Sequence, residues 1–480
     1  MTTIALIVEH SNEFAFHQTV TQMKLEDYGR CDATELAALI QTGQVTESEV
    51  LDAAHQQIGD LNPAINAVID VFAQPVEDHS SSGPWRGVPF LLKDIGAGIA
   101  GRRTTCASRA YFDAPPQAHD DELTLRFMRA GLRIIGKSNL PELGFNVTTE
   151  PVCFGPTRNP FDLTRSAGGS SGGAAAAVAS GMVPVAHASD GAGSIRIPAA
   201  CCGLAGLKPS RGLVPQGPAH SDIYGGLVSE GVITRSVRDM ETALSIMSGQ
   251  DAGAPYAAPR GRAVKNVCRI GVLSGGAKDF QFDADSLAAL ALAARSLRDA
   301  GHRVDSAEGF LAPDDWHIPR EVYLAQVCAN SAADVYARSI PTGLEAINAA
   351  AVEIGRTMTA DQYLSVLRRG QDFARRFAQI WSRFDVLLTP ALAGAAPELG
   401  QFPTNHTDVA LHVDRMTRLA PFAGTFNLTG GPALVVSVMQ TADGLPLGVQ
   451  LAGDLGDDSQ LLALGQLLHR EVPASLAKRA

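Results

Sequence analysis

Short apolar runs punctuate the chain at 66–71, 88–92, 132–136, 183–188, 269–273, 302–305, 385–390 and 432–438. Runs of that length, bounded by turn residues, predict strands. Start signals between them predict helices. Asp32 precedes one that stops near Gly43, and Thr46-Glu47-Ser48-Glu49 is a capping box opening another through about Gly59. Helices are also expected over 120–130, 173–180 and 283–300, and residues from about 310 to 380 read as mostly helical and alanine-rich. Strands that alternate with helices predict an α/β fold with a largely parallel sheet. Residues 1–30 have weak periodicity and read as an arm, while 249–266 is linker-like and reads as a surface excursion.

Composition narrows the class. The 480 residues are 45% hydrophobic and 19% charged, enough to bury a large core. The length allows two to four domains, yet large α/β enzymes also run as one. A net charge of −11 without a basic run argues against a nucleic-acid partner. No apolar run reaches the roughly 18 residues that span a bilayer. The start, MTTIALIVEHSNEFAF, has no basic region of a secretory signal. Seven cysteines (31, 106, 153, 201, 202, 268 and 328) include no CxxC pair, which predicts buried thiols in a reducing cytoplasm. His119-Asp120-Asp121-Glu122 reads as a helix start, His187 as a structural strand residue and Cys201-Cys202 as buried small hydrophobes, so no metal or cofactor is expected.

The chemistry concentrates in 168–198, GGSSGGAAAAVASGMVPVAHASDGAGSIRIP. Two glycine-rich loops place Ser170 and Ser194 24 residues apart, close enough to fold together. Glycines beside a serine let the backbone approach a ligand. The loop Asp190-Gly-Ala-Gly-Ser194 follows a strand, where the N–H groups of Gly191, Ala192, Gly193 and Ser194 can form a nest for a developing oxyanion. The alternative is a tight turn that needs glycine only for its geometry. Lys93, one of seven lysines, ends the apolar run Gly87–Asp94. Burial disfavours its charged form, and a neutral amine can act as a base. The alternative is a lysine reaching to water with Asp94 as its partner. Gly168-x-Ser170-x-Gly172 matches the nucleophile-elbow pattern, but 159–165 is turn-like where that motif needs a core strand, so the elbow is rejected. No GK[ST] follows to make a phosphate loop.

Together these pieces resemble the amidase signature family of serine hydrolases. They are GVPFLLKD (87–94), GKSN (136–139), FGPTRNPFD (154–162), GGSSGG (168–173), DGAGSIRIPAACCGLAGLKPSRG (190–212), FNLTGGPA (426–433) and GLPLGVQL (444–451), in family order. The resemblance implies one domain over 1–480: a central mixed, mostly parallel twisted sheet covered by helices on both faces. Within it lie a signature core at 85–215 and a variable pocket region at 215–425. It implies a Ser–cis-Ser–Lys triad in which Ser194 is the nucleophile, Ser170 bridges after a cis peptide at Gly169, and Lys93 is the base. Ser171, Asp190 and Arg196 become the supporting residues. The substrate is then a small amide, and a homodimer is the commonest assembly.

Within the family the chain is most similar to the 6-aminohexanoate cyclic-dimer hydrolase branch, on the run TTEPVCFGPTRNPFDLTRSAGGSSGG, the DGAGS loop and Val327-Cys328. That likeness implies a substrate-pocket cysteine at Cys328. The branch carries a substrate-touching asparagine after its PEMG motif; here Pro141-Glu-Leu-Gly144 is followed by Phe145, then Asn146, so this wall is expected to be more apolar. Alternatives are the glutaminase subunit of a tRNA-dependent amidotransferase, in which SIRQPA replaces the present SIRIPA, an aryl-acylamidase or amino-acid-amide hydrolase, and a non-catalytic binding protein.

Overall fold

In a computed structural model the described residues are 23–78, 82–219, 222–338 and 342–470. The thirteen strands are β1 Val68–Val76, β2 Pro89–Lys93, β3 Arg133–Ser138, β4 Arg158–Asn159, β5 Asp162–Ser166, β6 Val185–Asp190, β7 Ala205–Lys208, β8 Ser229–Thr234, β9 Arg269–Val272, β10 Arg303–Ser306, β11 Val386–Pro390, β12 Ala433–Gln440 and β13 Pro446–Ala452. Eleven form one sheet in the order β1-β3-β2-β6-β8-β7-β12-β13-β11-β9-β10. β2, β3, β6, β7, β8 and β11 are buried along their whole length, as expected of strands covered on both faces. This is a single α/β domain with a mixed sheet, and helices flank it.

The expected mostly parallel character needs correction. Within this sheet, among the described residues, six pairings are antiparallel and four parallel. Parallel order holds in two outer blocks, β3-β2-β6 and β11-β9-β10. Between them every neighbouring pair is antiparallel, and the β12–β13 hairpin sits in that middle stretch. Within the sheet, among the described residues, the hairpin joins the strands built from 68–234 to those built from 269–390.

Local signals act as expected. Asp32 caps helix Ala33–Gln41 by accepting from the Glu35 N–H at 2.9 Å. Thr46 and Glu49 close a capping box on helix Glu47–Ile65. That helix runs past Gly59, because its face of Val50, Ala53, Ala54, Ile58 and Ile65 stays buried; packing outweighs glycine's intrinsic cost of about 1 kcal/mol. Of the expected arm, residues 1–22 lie outside the described residues. Beyond them Leu25–Arg30 is a helix, and buried Tyr28 donates to the Met182 carbonyl at 2.8 Å. The 249–266 stretch is an irregular surface segment, pinned by Arg262 on Asp454 (2.7 Å) and Lys265 on Asp385 (2.8 Å).

β4 and β5 form a separate two-stranded ribbon. The strand before Gly168 is therefore no part of the core sheet, as the rejection of the elbow requires. The glycine- and alanine-rich helix Gly172–Ala179 is buried from Gly172 to Val178. Glycine is forced at Gly173, where a Cβ would stand 2.3 Å from the Asn139 nitrogen. The first amides of this helix are already engaged: Gly172 N–H donates to Thr149 Oγ1 (3.2 Å) and Gly173 N–H to the Asn139 carbonyl (3.1 Å).

Candidate active site

β2 and β6 lie side by side and parallel, so their carboxyl ends open together. Ligand sites of α/β sheets form at such ends. Lys93 closes β2 and Asp190 closes β6.

Lys93 turns inward. Its Nζ lies 2.8 Å from Ser170 Oγ and 3.0 Å from Ser189 Oγ, and the residue is 1% exposed. Asp94 is not its partner: that carboxylate takes Lys137 Nζ at 2.7 Å and the Thr105 N–H at 3.0 Å. Burial pulls the Lys93 amine down to about 7, against the opposing charges of Glu230 and Asp190. The Gly169–Ser170 peptide is cis, as expected.

The backbone of Lys93 is held as well. His187 Nδ1 accepts the Lys93 N–H at 3.3 Å, and its Nε2 faces Glu230 Oε2 at 2.9 Å. With Nδ1 accepting, a neutral ring carries its proton on Nε2 and donates to Glu230. The structural reading of His187 holds, and Glu230 is a site neighbour that strand patterning missed. Ser189 was missed too; as an acceptor from the amine it leaves the Nζ lone pair for Ser170.

The second loop is built around Asp190. Arg196 grips it with Nε on Oδ2 (2.9 Å) and Nη2 on Oδ1 (2.8 Å). Burial alone raises the Asp190 carboxyl, yet the Arg196 guanidinium and its hydrogen bonds hold it well below the usual carboxylate range. Arg196 also donates to Gln450 Oε1 (2.7 Å) and Asn427 Oδ1 (2.6 Å). Asn427 Nδ2 in turn donates to the Asp190 carbonyl, to its Oδ1 and to the Leu227 carbonyl, each at 2.9 Å. Gln450 and Asn427 come from distant segments; both lie inside motifs of the family resemblance, GLPLGVQL and FNLTGGPA, but neither was assigned a role.

Asp190 also decides which loop amides are open. Its Oδ1 accepts the Gly193 N–H at 2.7 Å and its Oδ2 the Ile195 N–H at 3.2 Å. Gly193 must therefore be removed from the expected oxyanion donors: the carboxylate three residues upstream takes it, at a φ of +118° that suits glycine. The N–H groups of Gly191, Ala192 and Ser194 have no protein partner among the described residues. Ser194 Oγ likewise makes no hydrogen bond among them. The two loops meet through the backbone, with the Ser171 N–H on the Ser194 carbonyl at 3.2 Å. Ser171 Oγ braces β6 by donating to the Ser189 carbonyl at 3.3 Å.

Residues 49–462 match the family described as Amidase. The chain belongs to the amidase signature family. Two curated relatives of this amidase are 6-aminohexanoate-cyclic-dimer hydrolases. The one from Paenarthrobacter ureafaciens is 32% identical, over 92% of the present chain and 95% of its own. The one from Pseudomonas sp. (strain NK87) is 34% identical with the same coverage. A solved 6-aminohexanoate cyclic dimer hydrolase complexed with substrate superposes with a TM-score of 0.87 at 31% identity, covering 95% of the present chain and all of that one. The chain is thus an amidase acting on non-peptide carbon–nitrogen bonds.

The three pocket candidates of this amidase are all buried. Asn146 is spent internally: Nδ2 donates to the Phe402 carbonyl (2.9 Å) and Oδ1 accepts the Val147 N–H (2.8 Å). Phe145 is buried against His412 and Tyr323, with ring centroids at 5.4 and 6.3 Å. Cys328 has no exposed surface on helix Ile318–Arg338, and burial pushes its thiol up to about 11. None of the three lines the cleft that contains Ala192; Tyr323 and Val147 do. Among the described residues no group of three or more His, Cys, Asp or Glu is placed to hold a metal ion, and no helix is long and apolar enough to cross a membrane.

Proposed function

We propose that this amidase cleaves a small carboxamide through an acyl-enzyme, with Ser194 as nucleophile, Ser170 as proton bridge and Lys93 as base. The observation that carries the reading is the buried Lys93 amine, 2.8 Å from Ser170 Oγ and drawn down to about 7, beside a loop with open amides. Neutral Lys93 takes the Ser170 proton as Ser170 takes that of Ser194. Ser194 Oγ bonds to the carbonyl carbon, and the oxyanion rests on the N–H groups of Gly191, Ala192 and Ser194. Collapse breaks the C–N bond and the proton returns to the leaving amine. Water then releases the acid over the same relay. Ser194 Oγ is unbonded at rest; such contacts commonly tighten only around substrate.

The 32–34% identity to 6-aminohexanoate-cyclic-dimer hydrolases supports aminohexanoate amides as the first class to assay. The chain alone should hydrolyse members of a panel of cyclic and linear aminohexanoate oligomers, anilides and simple carboxamides. Activity without a second subunit also separates this reading from that of an amidotransferase glutaminase. Ser194→Ala should reduce hydrolysis to background; a variant with undiminished turnover would overturn the assignment.

A further inference from the structure

The cleft that reaches the 191–194 loop has one charged side chain on its wall. Ala192, Val147, Tyr323, Trp316 and Met416 give it an apolar lining, and Arg320 interrupts it. Arg320 and Tyr323 are neighbours at i,i+3 on helix Ile318–Arg338, so they face the cleft from one side. Trp316 (4% exposed) and Tyr323 (9%) are packed into the core and fix that side. The Arg320 side chain keeps 25% of its surface open.

Its charge is only partly answered. Arg320 Nη1 pairs with Asp414 Oδ1, but Asp414 Oδ2 also accepts from Arg418 Nε at 2.9 Å. Asp414 thus serves two guanidiniums. Arg418 has a second carboxylate in Asp279 at 3.7 Å, which also faces His317 at 3.6 Å. Arg320 Nε and Nη2 have no protein partner among the described residues. A fork of open N–H donors on an apolar wall is the complement of a carboxylate at the end of a hydrocarbon spacer.

We propose that Arg320 selects substrates: the cleft takes amides that carry a terminal carboxylate, which pairs with the open edge of this guanidinium. The inference rests on the reading of Ser194 as the attacking group. It orders the aminohexanoate compounds, since a linear oligomer ends in a carboxylate and a cyclic one has none.

The test uses the full chain and amides of graded methylene spacer, with a terminal carboxylate on the acyl or the amine portion, each paired with its methyl ester. The wild type should prefer the acid in at least one pair by about tenfold or more in kcat/KM, the scale of one charged hydrogen bond, expressed in KM. Arg320→Gln should abolish that preference. Arg320→Lys should restore part of it, since the charge returns without the fork. An acid-to-ester ratio that is the same in wild type and Arg320→Gln overturns the proposal. If that ratio is unmoved while Ser194→Ala is inactive, this inference alone falls. If Ser194→Ala still hydrolyses amides, the underlying mechanism falls.

Discussion

Two lysines close strands that run the same way in one sheet, and only one of them meets a hydroxyl. Lys93 ends β2 and Lys208 ends β7. Each is 1% exposed, and burial draws each amine down to about 7. The Lys93 amine has Ser170 and Ser189 within 3.0 Å. The Lys208 amine donates to the Pro209 carbonyl at 2.7 Å, an acceptor with no proton to give. Burial makes a base available; a proton donor beside it makes the base useful. A depressed amine on its own is a poor marker of a catalytic residue.

The largest expected effect breaks the symmetry. Lys93→Met should lower kcat by about 10²–10⁴-fold, the usual share of a general base. Lys208→Met should keep most of its activity, at a stability cost of about 1 kcal/mol for the lost hydrogen bond. Steady-state kinetics on the same amide check both, and equal losses in the two variants would erase the distinction.

A smaller effect comes from the pair between the two lysines. Asp190 acts on both amines, and Arg196 on Lys208 directly. Arg196→Ala strands the Asp190 carboxylate in the core and should cost about 3–5 kcal/mol, read from the urea midpoint. A midpoint within error of wild type would show that the network is not holding the loop.

The smallest effect is a displacement along the pH axis. Lys93 must be neutral to work, so kcat/KM should rise with pH through a limb near 7. The Glu230 carboxylate favours the ammonium form, so removing it lowers the Lys93 pKa. Glu230→Gln should therefore move the limb to lower pH, with more activity retained in acid; a limb moved upward contradicts this sign. Lys208→Met should leave the limb in place.

Much of the candidate site could be read from the chain because its information is local. Glycine and serine spacing marked both loops, and the apolar run before Lys93 marked a buried strand end. The nest was misread at one amide. An aspartate three residues before Gly193 can accept that N–H, as side-chain capping rules allow, and the signal went unused. β7 and β8 were not anticipated: AGLK is short, and SEGVIT opens with a polar pair whose buried Glu230 meets His187 at 2.9 Å. The central hairpin had its own sign, Asp443-Gly444 between two apolar runs, and reading it would have corrected the parallel sheet. The motifs FNLTGGPA and GLPLGVQL contain Asn427 and Gln450, but the roles of these two arise only when the chain returns to Asp190. The cleft wall failed for the same reason: the helix carrying Arg320 and Cys328 was legible, but which face it turns to the cleft depends on what packs behind it.

The hairpin at the sheet centre also dictates timing. As the polypeptide leaves the ribosome, Lys93, Ser170 and Ser194 emerge hundreds of residues before the segment that unites the two half-sheets and delivers Gln450 to Arg196. On the proposed mechanism, hydrolytic competence is therefore expected only after 433–452 has joined the sheet.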